Sequence, residues 1–220
     1  MKTFFGLMLS LLTVPTGLLG EAVGSYQYLM VTASDSTVLT YQLETRPEAV
    51  VRYTKKNQTE VSYLHPDMSN RRWEWTDPDN STDIVAVRDG NRITIKGRFK
   101  GEPIDRVAKI EDVPWYQNPG FNLPQFMRSE AKEIRYLVLR PQDLKDFVMC
   151  GVKESKESIA LRSGPVDALT LKVTICGWMS RLWSARYWFR PADGFYLKYR
   201  GVQGPPGTPE TLVEFIVTNQ

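Results

Sequence analysis

Histidine is almost missing from this chain: His65 is the only one in 220 residues. A Ser-His-Asp or Cys-His nucleophile would have to use it. No G-x-S-x-G elbow accompanies it, and His65-Pro66-Asp67 reads as a loop break after an alternating strand. Cysteine is nearly as scarce. Cys150 and Cys176 stand far apart with no close ligand pair, so the sequence offers no zinc site and no cofactor is expected. Charge of one sign is lacking too. The formal net charge is +3, and the cations are scattered along the chain rather than gathered in runs, which excludes a nucleic-acid partner. There is no internal repeat, no low-complexity tract and no amphipathic helix longer than three turns.

Long apolar runs are confined to the start. Lys2 precedes an apolar stretch from Phe4 to Leu19, interrupted by Pro15 and Gly17. Gly20-Glu21-Ala22 then places small residues before a cut after Ala22. This is the pattern of a secretory signal peptide over residues 1–22. The alternative is an uncleaved anchor, but the run is about 16 residues long, short of the ~20 that a span needs. No Cys follows it to take a lipid. No transmembrane span is therefore expected after cleavage, and residues 23–220 are expected to form a single β-rich domain, periplasmic or secreted.

What fills that domain is short alternation. Val38–Leu43, Val51–Tyr53, Arg71–Trp75 and Leu169–Ile175 each place apolar residues at every second position. Asp89-Gly90 joins Ile84–Arg88 to Asn91–Phe99 and suits a type I′ hairpin turn. Pro114–Pro124 is irregular, and Gln125–Lys132 reads as a short helix. Strands then return at Ile134–Leu139, Phe147–Val152, Ser158–Arg162 and Thr211–Val217, with Lys153–Glu157 read as a turn. Short strands at this spacing give a mostly β fold: an antiparallel sheet curved into an open barrel or sandwich, with at most one or two short helices.

The strongest hairpin runs from Arg181 to Arg200, with the turn Pro191-Ala192-Asp193-Gly194 at its tip. Alternation sends Trp183, Ala185, Tyr187, Phe189, Phe195, Leu197 and Tyr199 to one face. The other face takes Arg186, Trp188, Arg190, Tyr196, Lys198 and Arg200, four cations interleaved with two aromatics. Arg suits phosphate through its planar fork, and aromatics suit sugar faces or acyl stems. These six are the candidate ligand-binding residues, for a lipid or an anionic glycan; the alternative is an ordinary outer sheet face braced by cross-strand pairs. An oxidising compartment would join Cys150 to Cys176 if their Cα atoms come within about 7 Å, the alternative being two buried thiols.

Other constellations are weaker. Asp77, Asp79, Ser81 and Asp83 have the alternate spacing of a calcium loop, but Thr82 stands where its glycine belongs and Arg88 where its bidentate Glu belongs, so no metal is expected. Glu111-Asp112, Glu130 with Glu133, and Glu154 with Glu157 are carboxylate pairs, and a glycosidase would need such a pair across a cleft.

From Pro114 onward the chain resembles a widespread family of exported bacterial proteins of unknown function. The residues that carry the resemblance are Pro114-Trp115-Tyr116, Arg140-Pro141, Trp183–Phe189, Asp193-Gly194 and Gly204-Pro205-Pro206-Gly207. It implies a periplasmic, mostly antiparallel β fold with no known activity. Curved sheets of that kind resemble carriers that hold lipid against a concave apolar face. The sequence thus points to a non-catalytic binding or carrier module of the cell envelope. Its rivals are a carboxylate-dependent enzyme acting on envelope glycan or lipid, and a scaffold for an envelope protein partner.

Overall fold

Inward apolar residues at every second position, broken by Gly, Asn and Asp turns, fold as fourteen antiparallel strands in one sheet. The computed structural model describes residues 24–33, 35–45, 48–202 and 208–219; residues 1–23, with the expected signal peptide, Ser34, Arg46-Pro47, 203–207, with the Gly-Pro-Pro-Gly run, and Gln220 lie outside them. The first half comprises β1 (Gly24–Thr32), β2 (Asp35–Glu44), β3 (Ala49–Lys55), β4 (Gln58–Leu64), β5 (Asn70–Asp77), β6 (Thr82–Asp89), β7 (Arg92–Phe99) and β8 (Glu102–Lys109). Two short helices follow, α1 (Pro119–Asn122) and α2 (Pro124–Arg128). The second half comprises β9 (Glu133–Leu139), β10 (Asp146–Leu161), β11 (Gly164–Ile175), β12 (Ser184–Phe189), β13 (Tyr196–Val202) and β14 (Glu210–Asn219).

Consecutive strands pair everywhere except between β8 and β9, and β1 pairs with β14, so the order runs from β8 back to β1, then from β14 back to β9. The sheet does not close edge to edge; it overlaps itself. Alternate residues of β9 belong to two different cores. Tyr136, with Ile134 and Val138, faces a lumen walled by Tyr28, Leu39, Val51, Leu171, Phe189 and Tyr199. Leu137 and Leu139 face the other way, into Trp73, Trp75, Ile84, Ile93 and Ile95 of β5–β7. β9 is therefore rolled inside the flap made by β5–β8, and that burial of both its faces stabilises the roll.

The overlap is pinned by polar contacts. Arg106 of β8 donates to the carbonyl of Leu144, and Lys100 Nζ donates to that of Gln142 at 2.7 Å. The free edge of β9 is covered by Pro114–Gln117. Leu137 N–H donates to Pro114 O and Tyr116 N–H to Leu137 O, both at 2.8 Å. The Gln117 side chain then continues the ladder, donating to Leu139 O at 2.9 Å and accepting from Leu139 N–H at 3.1 Å.

A third cluster lies outside the roll. The far half of the long β10–β11 hairpin arches over the outer face of β12–β14, packing Ile159, Leu161 and Ala168 on Trp188 and Leu197. Arg162 N–H donates to Glu214 at 2.6 Å and Lys198 Nζ to Ala160 O at 3.1 Å, tying the arm down.

Three local expectations change. Phe147–Val152 and Ser158–Arg162 belong to one strand, because Lys153–Lys156 forms a bulge where a turn was expected. The helix expected over Gln125–Lys132 is α2, which stops at Arg128. In the two-residue loop Gly90-Asn91 only Gly90 has positive φ, 54°; that pattern fits a type II′ turn, which places Gly first. Cys150 and Cys176 form a disulfide, with Cα atoms 5.1 Å apart, tying β10 to the end of β11.

Candidate functional site

The lumen is lined by rings. Tyr28 stacks on Tyr196 at 4.9 Å, Tyr41 meets Tyr53 at 5.0 Å, and Tyr187 meets Tyr199 edge-on at 4.9 Å. One end of this tube is stopped by α1 and α2. Phe121 of α1 enters it and stacks on Tyr41 at 4.5 Å, while Phe126 and Met127 of α2 close over the first core.

So short a helix cannot hold itself, and asparagines latch it. Asn118 Nδ2 donates to Ser62 Oγ at 2.9 Å. Asn122, wholly buried, donates to Met68 O at 2.6 Å and to Asn70 Oδ1 at 3.2 Å. Two glycines let the stopper seat against the β12–β13 turn. A Cβ on Gly120 would lie 2.8 Å from the Tyr196 ring, and one on Gly194, whose φ is +71°, 2.6 Å from Pro124 O.

The seating is incomplete. Beside the stopper lies a cavity of about 230 Å³, walled by Tyr26, Leu43, Met68, Phe121, Phe195 and Tyr196, with Gln125, Arg128 and Asp193 also on its lining. Deeper in, burial pushes the hydroxyls of Tyr41, Tyr187 and Tyr196 well above the usual phenol range. None of the three has a hydrogen-bond partner among the described residues. Tyr41 and Tyr187 are half-buried and Tyr196 is buried, and a hydroxyl held away from bulk water still favours a polar partner.

One carboxylate joins the wall. Glu60, on β4 opposite Tyr53 and Trp75, accepts from Gln58 Nε2 at 2.8 Å and from Trp73 Nε1 at 3.1 Å. Burial pushes its carboxyl up to about 7, against the pull of those two donors and of Lys55. Across from it, Trp75 Nε1 is buried without a partner among the described residues.

The six residues of the outer hairpin face are divided. The bulge between Trp188 and Phe189 pairs Trp188 with Lys198 but Phe189 with Tyr196. Leu197 becomes the extra residue and joins Trp188 outside, while Tyr196 turns inward among Tyr28, Phe121 and Phe189. Arg186, Trp188, Lys198 and Arg200 stay together outside, and each has a partner. Arg186 meets Glu154 at 3.2 Å, Lys198 meets Glu214 at 3.5 Å and Arg200 meets Glu210 at 2.8 Å. Trp188 Nε1 donates to Glu157 at 2.7 Å under the arm. Arg190, at the strand end, is bidentate to Asp193 at 2.9 and 2.6 Å. Chemically this surface braces the sheet. The inner aromatics Trp183, Tyr187 and Tyr199, which alternation sends to one face as a candidate ligand wall, do line this core, and Phe195 lines the cavity. Only the α1 stopper is not legible, because it lies in a stretch that reads as irregular, where Asn118 and Asn122, four apart around Pro119, were the available signal.

The acidic loop is self-contained: Asp77 gives one oxygen to Asn80 N–H and the other to Asn80 Nδ2. His65 opens the β4–β5 loop, donating its N–H to Ser69 O at 2.8 Å.

These features define a class by fold: an open, self-overlapping antiparallel β-barrel stopped by short helices. Among solved structures the chain is similar to a beta-barrel-like protein of a domain of unknown function, DUF1849, from Brucella abortus. The TM-score is 0.63 at 6% identity, covering 90% of this chain and 98% of that one. A putative lipoprotein from Parabacteroides distasonis aligns with TM-score 0.37 and 12% identity over 90% of this chain and 95% of that one. A LolA-superfamily protein from Nitrosomonas europaea aligns with TM-score 0.29 and 8% identity, over 89% and 84%. No protein-family model and no curated protein matches the sequence. At 6% identity the Brucella likeness is one of fold. Among the described residues no helix is long and apolar enough to cross a membrane.

Proposed function

We propose that this chain is an exported, non-catalytic carrier that holds the apolar part of an amphipathic envelope ligand in its lumen. One observation carries the reading. A tube walled by tyrosines is stopped by a four-residue helix bearing Phe121, with a cavity of about 230 Å³ left beside it. Ligand sites of this type are concave, mostly apolar and sparingly polar. A filled core would instead pair its hydroxyls and leave no space at the stopper. The alternation that builds the wall and the glycines that seat the stopper support this role, as does the export that residues 1–22 are expected to direct.

The test is native mass spectrometry of the mature protein taken from its own cell envelope, followed by solvent extraction. An extra mass that extracts as an amphiphile is the expected result. A bare protein that also takes up no medium-chain amphiphile when offered one would overturn the reading.

A further inference from the structure

The cavity beside the stopper has one charged group that no described residue answers. Arg128, the last residue of α2, lines the same space as Tyr26, Leu43, Phe121 and Phe195. Its side chain is exposed and has no hydrogen bond or ion pair among the described residues. The other ionic group of the lining, Asp193, is bidentate to Arg190, whose guanidinium also lies 4.9 Å from the Phe195 ring centroid. That pair neutralises itself, so the cavity has an apolar interior and a single unanswered cation. Gln125 is fixed elsewhere, donating to Pro66 O at 2.9 Å.

We infer that this cavity is the entrance subsite for an anionic amphiphile, its acyl chain lying among Tyr26, Leu43, Phe121 and Phe195 and its carboxylate or phosphate head held by Arg128. The inference rests on the carrier reading and adds to it the sign of the head group and the end of the roll at which it sits. A guanidinium presents a planar fork that grips either oxyanion through two parallel hydrogen bonds. An ammonium head would be repelled there, and an alcohol would gain nothing from the charge.

Four probes with one twelve-carbon chain separate the possibilities: dodecanoate, dodecyl phosphate, dodecylammonium and dodecanol, titrated by calorimetry below their micelle concentrations. The two anions should bind the intact mature protein roughly tenfold more tightly than dodecanol, the scale of one charge-assisted contact at an exposed site. Arg128→Gln should erase that preference and leave dodecanol unchanged, and Arg128→Lys should restore part of it. Arg128 is exposed at a helix end, so neither change disturbs the fold. A tighter dodecanoate points to a free fatty acid as cargo and a tighter dodecyl phosphate to a phospholipid head; both support the subsite. If all four probes bind alike, or if Arg128→Gln keeps the anion preference, the subsite is wrong while the carrier stands. If none binds, the carrier reading falls with it.

Discussion

Glu60 is where burial and charge conflict most plainly. Its carboxyl titrates near 7 in the folded protein against 4.5 in an unperturbed chain. An acid whose folded value is raised binds its proton more tightly when folded, so this site costs nothing below pH 4.5. Its cost grows as pH rises to 7 and is complete above that, at about 3 kcal/mol. Asp143 acts in the opposite sense: Arg140 holds it down near 2, so its contribution is present above pH 4 and lost on acidification. Urea melts at pH 5 and pH 8 should show the wild-type protein less stable at pH 8. Glu60→Gln should remove most of that difference, and an unchanged slope would rule Glu60 out as its source. Single residues also mark how far the sequence can be read. Trp73, Trp75, Ile93 and Ile95 face inward as alternation requires. Tyr196 does not face outward, because the bulged residue Leu197 sits outside beside Lys198 and so reverses the parity on its turn side, leaving Lys198, Tyr199 and Arg200 as expected.

Among the elements, the β10–β11 arm does the most outside the lumen. Its tip covers Trp188, which is 9% exposed and packs on Ile159, Leu161 and Leu197. Its carboxylate Glu157 receives both Trp188 Nε1 and Thr170 Oγ1, the latter at 2.6 Å, and those donors hold its pKa down. Trp188→Ala leaves a hole under the arm and removes one of the two donors. The expected loss is about 3 kcal/mol of stability, with new proteolysis at the Arg162-Ser163 tip. Tip cleavage no faster than in the wild type would show the arm held by other contacts. The sequence reveals β10 and β11 as alternating segments, but not that the hairpin bends back over the sheet. Bending depends on the bulge at Lys153–Lys156, whose charged residues read equally well as a turn.

At the scale of the whole molecule, the roll leaves β8 as its outer edge. Glu102-Pro103 at its start and the charges Asp105, Arg106 and Lys109 blunt that edge against pairing with another chain. Amide hydrogen exchange should be fastest in β8, which has a ladder on one side only, and slowest at β1 and β14, each paired on both sides. Protection in β8 equal to that in β1 would mean the edge is covered in solution. The class and most of the strands are legible from alternation and turns, but β1 and β8 do not stand out and β10 reads as two strands. The overlap is not legible, because Leu137 and Leu139 look like ordinary outward residues of a strand until the flap carrying Trp73 closes on them.

The pairing of β1 with β14, Ser25 opposite Asn219, has a consequence for the order of assembly. All other ladders join neighbours along the chain and can zip locally as the polypeptide emerges, first one half and then the other. The β1–β14 ladder closes a loop of nearly the entire chain, and the entropy of that closure is met late. A chain that emerges from its N-terminus presents β1 early and β14 late. Until β14 arrives, one side of β1 is an open edge beside tyrosines that have no lumen to line. The interval between those two strands is when this protein is most exposed to mispairing, and when an assistant that shields strand edges has most to offer.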